Sequence, residues 1–139
     1  MMGRATLVSA ILLCAGSFAC NWEAPQSARD VKNPVPPSAE NLKQAKSLYD
    51  GDCAMCHGLT GRGDGPIAAS CTPKPANFTD SKLMDAETDG SLFWKITNGD
   101  TSSMPGWRGQ LSETQRWQLV DLIRTFANHG GHTSASVFP

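Results

Sequence analysis

The chain has no second Cys-x-x-Cys pair beyond Cys53 and Cys56 and no histidine pair at ligand spacing, so a zinc knuckle lacks its ligand set. It has no convincing period-two strand near that pair, which removes the βαβ frame of a thioredoxin-like redox motif. Five cysteines in 139 residues are too few for a disulfide scaffold. Basic charge is not in excess: 12 Lys and Arg stand against 13 Asp and Glu, so nothing points to nucleic-acid binding. No Ser/His/Asp set and no well-spaced carboxylate pair argues for hydrolysis. Beyond the N-terminal leader, no apolar run approaches membrane-spanning length.

What is present is concentrated in Cys53-Ala54-Met55-Cys56-His57, a C-x-x-C-H run. Two thiols three residues apart can add to the two vinyl groups on one porphyrin edge. The imidazole that follows is delivered to one face of the iron. This is the attachment signature for one covalent haem c.

The N-terminus is consistent with that chemistry. Arg4, the apolar run from Ala5 to Ala15, and the small residues Ser17 and Ala19 read as a signal peptide over residues 1–19. Export takes the chain to the bacterial periplasm, on the membrane side where c-type haem is attached. Ser17-Phe18-Ala19-Cys20 resembles a lipobox with Ser17 in place of the usual leucine. One reading makes Cys20 a lipidated anchor; the other leaves it a free thiol or disulfide partner. Residues 20–37 hold Pro25, Pro34, Pro36 and Pro37 without a helical apolar period, so they read as a flexible tether reaching roughly 20–25 Å. With Cys14 removed in the leader and Cys53 and Cys56 given to haem, Cys20 and Cys71 remain. Either Cys20 carries lipid and Cys71 is a lone thiol, or the two pair.

Residues 38–128 read as the folded domain, and 129–139 as a disordered tail. Ser38 caps a helix running to about Gly51 that delivers the C-x-x-C-H run at its end. Glycines and prolines from Gly58 to Pro75 forbid a long helix and read as a loop wrapping something. Asp89 is a cap for a short helix to Asn98. Ser112-Glu113-Thr114-Gln115 is a capping box, followed by Leu119, Leu122, Ile123 and Phe126 at helical spacing. The fold class is all-α.

A helix ending in C-x-x-C-H, a Gly/Pro-rich loop, a Met-Pro pair and a terminal amphipathic helix together resemble class I c-type cytochromes. The likeness is to the small bacterial monohaem type related to haem-bearing subunits of respiratory oxidases, over about residues 42–127. It rests on Cys53 to Gly58, Gly61 to Pro66, Phe93 to Gly99 and Met104-Pro105-Gly106-Trp107. The resemblance implies three to five helices wrapped around one haem. Met104, on a loop stiffened by Pro105, is the candidate second axial ligand opposite His57, since a thioether favours ferrous iron. Met55 cannot reach the far face, Met84 is the runner-up, and His129 and His132 read as tail histidines. The resemblance also implies that a loop proline carbonyl, Pro66 over Pro73 or Pro75, accepts the free ring N–H of His57. Trp107 is placed at the propionate edge. An aromatic pair is expected where the first and last helices cross; Tyr49 fits, but Leu122 stands where an aromatic is common.

Iron closed by His57 and Met104 leaves outer-sphere electron transfer rather than catalysis. The reading is therefore an electron carrier, not an enzyme, whose partners are respiratory oxidases, dehydrogenases or other cytochromes. Two alternatives stay open: a haem enzyme or gas-binding sensor with a labile sixth ligand, or a fixed haem subunit of a respiratory complex.

Overall fold

The computed structural model describes residues 22–100 and 102–129; the leader, Cys20 and His132 lie outside them. Among the described residues there are six α-helical segments and no strand. They are α1 (Gln26–Arg29), α2 (Ala39–Asp52), α3 (Ala54–His57), α4 (Ser81–Ala86), α5 (Asp89–Asn98) and α6 (Glu113–His129), with a 3-10 turn at Ala68–Ser70. The count exceeds the three to five expected because two segments are single four-residue turns. Among these residues no helix is long and apolar enough to cross a membrane.

Capping explains most boundaries. Ser38 accepts the Asn41 N–H at the start of α2. Ser112 and Gln115 exchange bonds at the start of α6, Gln115 N to Ser112 Oγ at 3.2 Å and Ser112 N to Gln115 Oε1 at 2.8 Å. At α5 the cap is Thr88 rather than Asp89: Thr88 Oγ1 accepts the Ser91 N–H at 3.1 Å. Asp89, freed from capping, takes the Arg124 guanidinium at 2.8 Å. Helix α4 has no apolar period to announce it; Asp80 caps it and it buries Met84 to 1 % exposure.

Helices α2 and α6 cross over Ala45 and Tyr49, both fully buried. The aromatic pair at the crossing is Tyr49 with Phe126, ring centroids 5.1 Å apart, so the aromatic missing at Leu122 stands one turn later. Burial pushes the Tyr49 phenol well above its ordinary value, and its hydroxyl donates to Gly58 O at 2.9 Å, tying α2 to the end of α3. Phe93 stacks on Trp117 at 3.9 Å and joins α5 to α6. Arg124 binds the carbonyls of Met84 and Glu87 as well as Asp89, gathering α4 and α5 against α6.

The described part of the expected tether is packed on the domain. Helix α1 lies on α5, where Gly90 passes so close that an added Cβ would collide with Ala28 O and sit 2.7 Å from Val31 O. Thr88 Oγ1 donates to Arg29 O, and Asn33 donates to Asp121 at 2.7 Å. At the leading end the Trp22 indole N–H bonds Gly99 O at 3.0 Å, and the Lys95 ammonium lies 5.3 Å from the Trp22 ring centre. Residues 22–37 therefore form a strap, held by polar bonds and one indole rather than by the apolar stripe whose absence made them look free.

Candidate haem-binding site

Helix α2 runs into α3 through Cys53, whose carbonyl accepts from both Cys56 N and His57 N. That turn puts Cys53, Cys56 and His57 on one side of a cleft of about 320 Å³. Its lining is predominantly apolar, with Leu92, Ile96, Leu119 and Ile123 forming the floor. Met104 and Trp107 enter it from the loop between α5 and α6.

His57 is fixed from two directions. Its ring stacks on buried Phe78, centroids 4.5 Å apart and planes 16° apart. Its Nδ1 lies 3.2 Å from Ala76 O. A carbonyl can only accept, so Nδ1 carries the proton and Nε2 keeps its lone pair. Burial lowers the imidazole from its ordinary value although the Ala76 bond opposes this, so the ring is neutral at neutral pH. The carbonyl is that of Ala76, not Pro66: Pro66 is exposed at the head of the loop, and the chain reaches the ring only after it has turned back. Gly63 permits that return. It has φ +73°, and a Cβ there would lie 2.6 Å from Pro75 O and 3.2 Å from Ala76 O. Neither Phe78 nor Ala76 was singled out from the sequence. A backbone carbonyl carries no sequence mark, and one phenylalanine after a proline-rich loop has no period to betray it.

The Met104 side is held differently. Asp100 Oδ1 accepts the backbone N–H groups of Ser102 at 2.7 Å, Ser103 at 2.6 Å and Met104 at 3.2 Å. Burial alone would raise the Asp100 carboxyl, but these bonds hold it below the usual carboxylate value. Asp100 N donates to Met104 O, closing the loop on itself. Trp107 N and Arg108 N bond the carbonyls of Ile96 and Thr97 and return the chain to α5. Trp22 also lines the cleft, beside this loop.

The structure thus brings Cys53, Cys56, His57, Met104 and Trp107 to one cleft and leaves Pro66 outside it. Met55 is 48 % exposed on the outer face of α3, and Met84 is enclosed under α6. His129 is the last residue of α6 rather than the start of the tail, because the helix runs one residue past 128. The residues present fit a porphyrin. Cys53 and Cys56 are free thiols, and burial pushes the Cys53 thiol up to about 12, with Asp52 and Cys56 adding to the effect. A neutral imidazole and a thioether complete a soft donor set around an apolar slot.

A helical domain wrapped on such a cleft defines a c-type cytochrome, whose cofactor is a covalently bound haem c. A family model described as cytochrome C oxidase, cbb3-type, subunit III matches residues 40–123, and the chain belongs to that family. It is 27% identical over 97 residues to the cbb3-type cytochrome c oxidase subunit FixP of Azorhizobium caulinodans, covering 70% of this chain and 31% of that one. It is 25% identical over 92 residues to cytochrome c6 of Synechocystis sp., covering 66% and 71%. A chain of the reducing HAO-like protein complex of Kuenenia stuttgartiensis superimposes with a TM-score of 0.60 at 28% identity, covering 69% of this chain and 49% of that one. The chain thus spans about a third of FixP and about half of the structural neighbour.

Proposed function

We propose that this protein carries single electrons on a haem c joined by thioethers to Cys53 and Cys56, with His57 and Met104 as the axial ligands. The observation that carries the reading is the convergence of these four side chains on one apolar cleft, with His57 Nδ1 committed to Ala76 so that Nε2 is the free donor. The haem supplies a one-electron iron centre. The chain's residues fix its ligands, exclude water through the floor of α5 and α6, and limit rearrangement between oxidation states. Trp107 covers the cleft edge. With His57 and Met104 both holding the iron, no position would be left for substrate, which favours outer-sphere transfer over catalysis.

The setting is the bacterial periplasm after removal of residues 1–19, with Cys20 as a lipid acceptor. The partners are membrane-bound or exported redox proteins: a respiratory oxidase, a dehydrogenase or another cytochrome. A redox titration followed optically tests the reading. The oxidised protein should show the long-wavelength sulfur-to-iron charge-transfer band, and the reduced protein should bind carbon monoxide slowly and incompletely. Rapid, complete carbon monoxide binding at neutral pH overturns it in favour of a haem enzyme or sensor.

The family match favours one second reading, a haem subunit fixed in an oxidase complex. Co-purification with terminal oxidase activity at constant stoichiometry through high-salt washes supports a fixed subunit. Release by salt supports a shuttle.

A further inference from the structure

Residues 22–37 lie outside the family match at 40–123, yet Trp22 lines the same cleft as Cys53, His57 and Met104. The indole arrives there along a fixed path. Asn41 Nδ2 donates to Pro36 O at 2.9 Å, Asn33 Nδ2 to Asp121 Oδ1 at 2.7 Å, and Thr88 Oγ1 to Arg29 O at 2.8 Å. Val35 packs on the core, α1 lies against α5 across the bare backbone of Gly90, and Ala24 is buried. The strap is thus anchored along its whole described length. At its leading end the indole N–H is spent on Gly99 O at 3.0 Å. An indole has one donor, so its carbon edge and ring faces are left for apolar contact. The Lys95 ammonium lies 5.3 Å from the ring centre and pairs with Glu87, and both of these line the cleft. Trp22, Lys95 and Glu87 therefore make up the rim beside the Met104 loop.

We propose that Trp22 is a haem-contacting residue, so that the strap outside the matched domain forms a wall of the haem site. The inference rests on the haem assignment above. A porphyrin is a wide apolar disc, and an indole whose one polar atom is already bonded meets it with carbon. The contact keeps water off the Met104 side of the site. Iron screened from water holds its ferric charge less well, so the ring raises the reduction potential. The same indole is tied to Gly99, the residue before Asp100, whose carboxylate gathers the Met104 loop. Ring and loop are therefore one unit. Gly90 is the point at which that unit can be disturbed from a distance: it is buried under α1, where an added Cβ would collide with Ala28 O, and it does not line the haem cleft.

The test uses the haem-loaded protein in its ferrous state, which is diamagnetic when both axial positions are filled; carbon monoxide fills the sixth should Met104 leave it open. Proton NMR should show through-space cross-peaks between the Trp22 ring and the haem substituents, beside those from the floor residues Leu92 and Ile96. Gly90→Ala should lose the Trp22 cross-peaks and keep the floor ones, while trypsin cuts the strap at Arg29 and Lys32 at least about fivefold faster. Floor cross-peaks with none from Trp22 overturn the proposal. So does a Gly90→Ala protein whose strap is cut rapidly while Trp22 keeps its haem contact. A second arm separates the ring from its hydrogen bond. Trp22→Ala should lower the reduction potential, and Trp22→Phe, which keeps a ring and loses the Gly99 bond, should lower it by less than half as much. Equal falls assign the whole effect to the bond and overturn the contact. The sulfur-to-iron band reports Met104 and the cross-peaks report Trp22, so the ligand assignment and the strap contact fail separately.

Discussion

The two walls of the cleft are built on opposite principles. On the His57 wall, a stack against the buried Phe78 ring and a carbonyl brought back by a glycine turn hold the imidazole by packing. On the Met104 wall, one half-exposed carboxylate gathers three N–H groups, and an indole from a distant strap bonds the loop's first residue. Packing resists deformation in every direction, whereas a hydrogen-bonded loop opens when one acceptor is removed. The His57 side is therefore the permanent half of the site and the Met104 side its adjustable half.

The largest test of that contrast removes each proposed axial ligand in turn. His57→Ala should cut covalent haem yield at least about tenfold, read by intact mass. Met104→Ala should keep the haem, lose the sulfur charge-transfer band, fall in reduction potential and bind carbon monoxide rapidly. Equal haem loss in both variants would erase the asymmetry. Next in size, Gly63→Ala places a Cβ against Pro75 O at a positive φ and should cost about 2–3 kcal/mol in chemical denaturation. Its carbon monoxide binding should stay slow, because the damage falls on the other wall. Asp100→Ala should cost about 1–2 kcal/mol yet accelerate carbon monoxide binding, because the released N–H groups free the Met104 loop. Trp22→Ala should act in the same direction at about 1 kcal/mol, through loss of the Gly99 bond and the Lys95 contact. Acid sensitivity is the smallest effect. Burial alone would raise the Glu87 carboxyl, but bonds from Lys95 and Ser91 and the Lys95 charge hold it below its ordinary 4.5. A carboxyl lowered on folding stabilises above its unfolded value and loses that contribution as pH falls through the folded one. Stability should therefore drop by under about 1 kcal/mol as pH falls below 4.5, and Glu87→Gln should remove that part of the slope.

The comparison of walls also separates what the sequence could disclose. Ser38, the Ser112–Gln115 box and the apolar spacing of α6 were legible because each is a local rule satisfied by side chains a few residues apart. The all-α class followed from them. The five residues around the thiols were legible because thioether chemistry demands a fixed spacing. Legibility failed where the structure uses backbone or isolated long-range bonds. Ala76 supplies a carbonyl any residue could supply. Thr88 and Asp89 are both good caps side by side, and only Arg124, thirty-five positions away, decides between them. Residues 22–37 looked like a tether because no apolar period announces a strap held by Trp22, Thr88 and Asn33.

That strap changes the kinetics of encounter if Cys20 carries an acyl chain. Between Cys20 and Trp22, whose indole is fixed at Gly99, there are two residue steps, a backbone reach of about 7 Å, instead of the roughly 20–25 Å a loose tether would allow. A domain so moored cannot sweep a hemisphere in search of partners. It would rotate about a short axle with its cleft rim near the lipid headgroups, and its search would be confined to two dimensions. Donor and acceptor would then have to offer their own redox edges at the same height above the membrane.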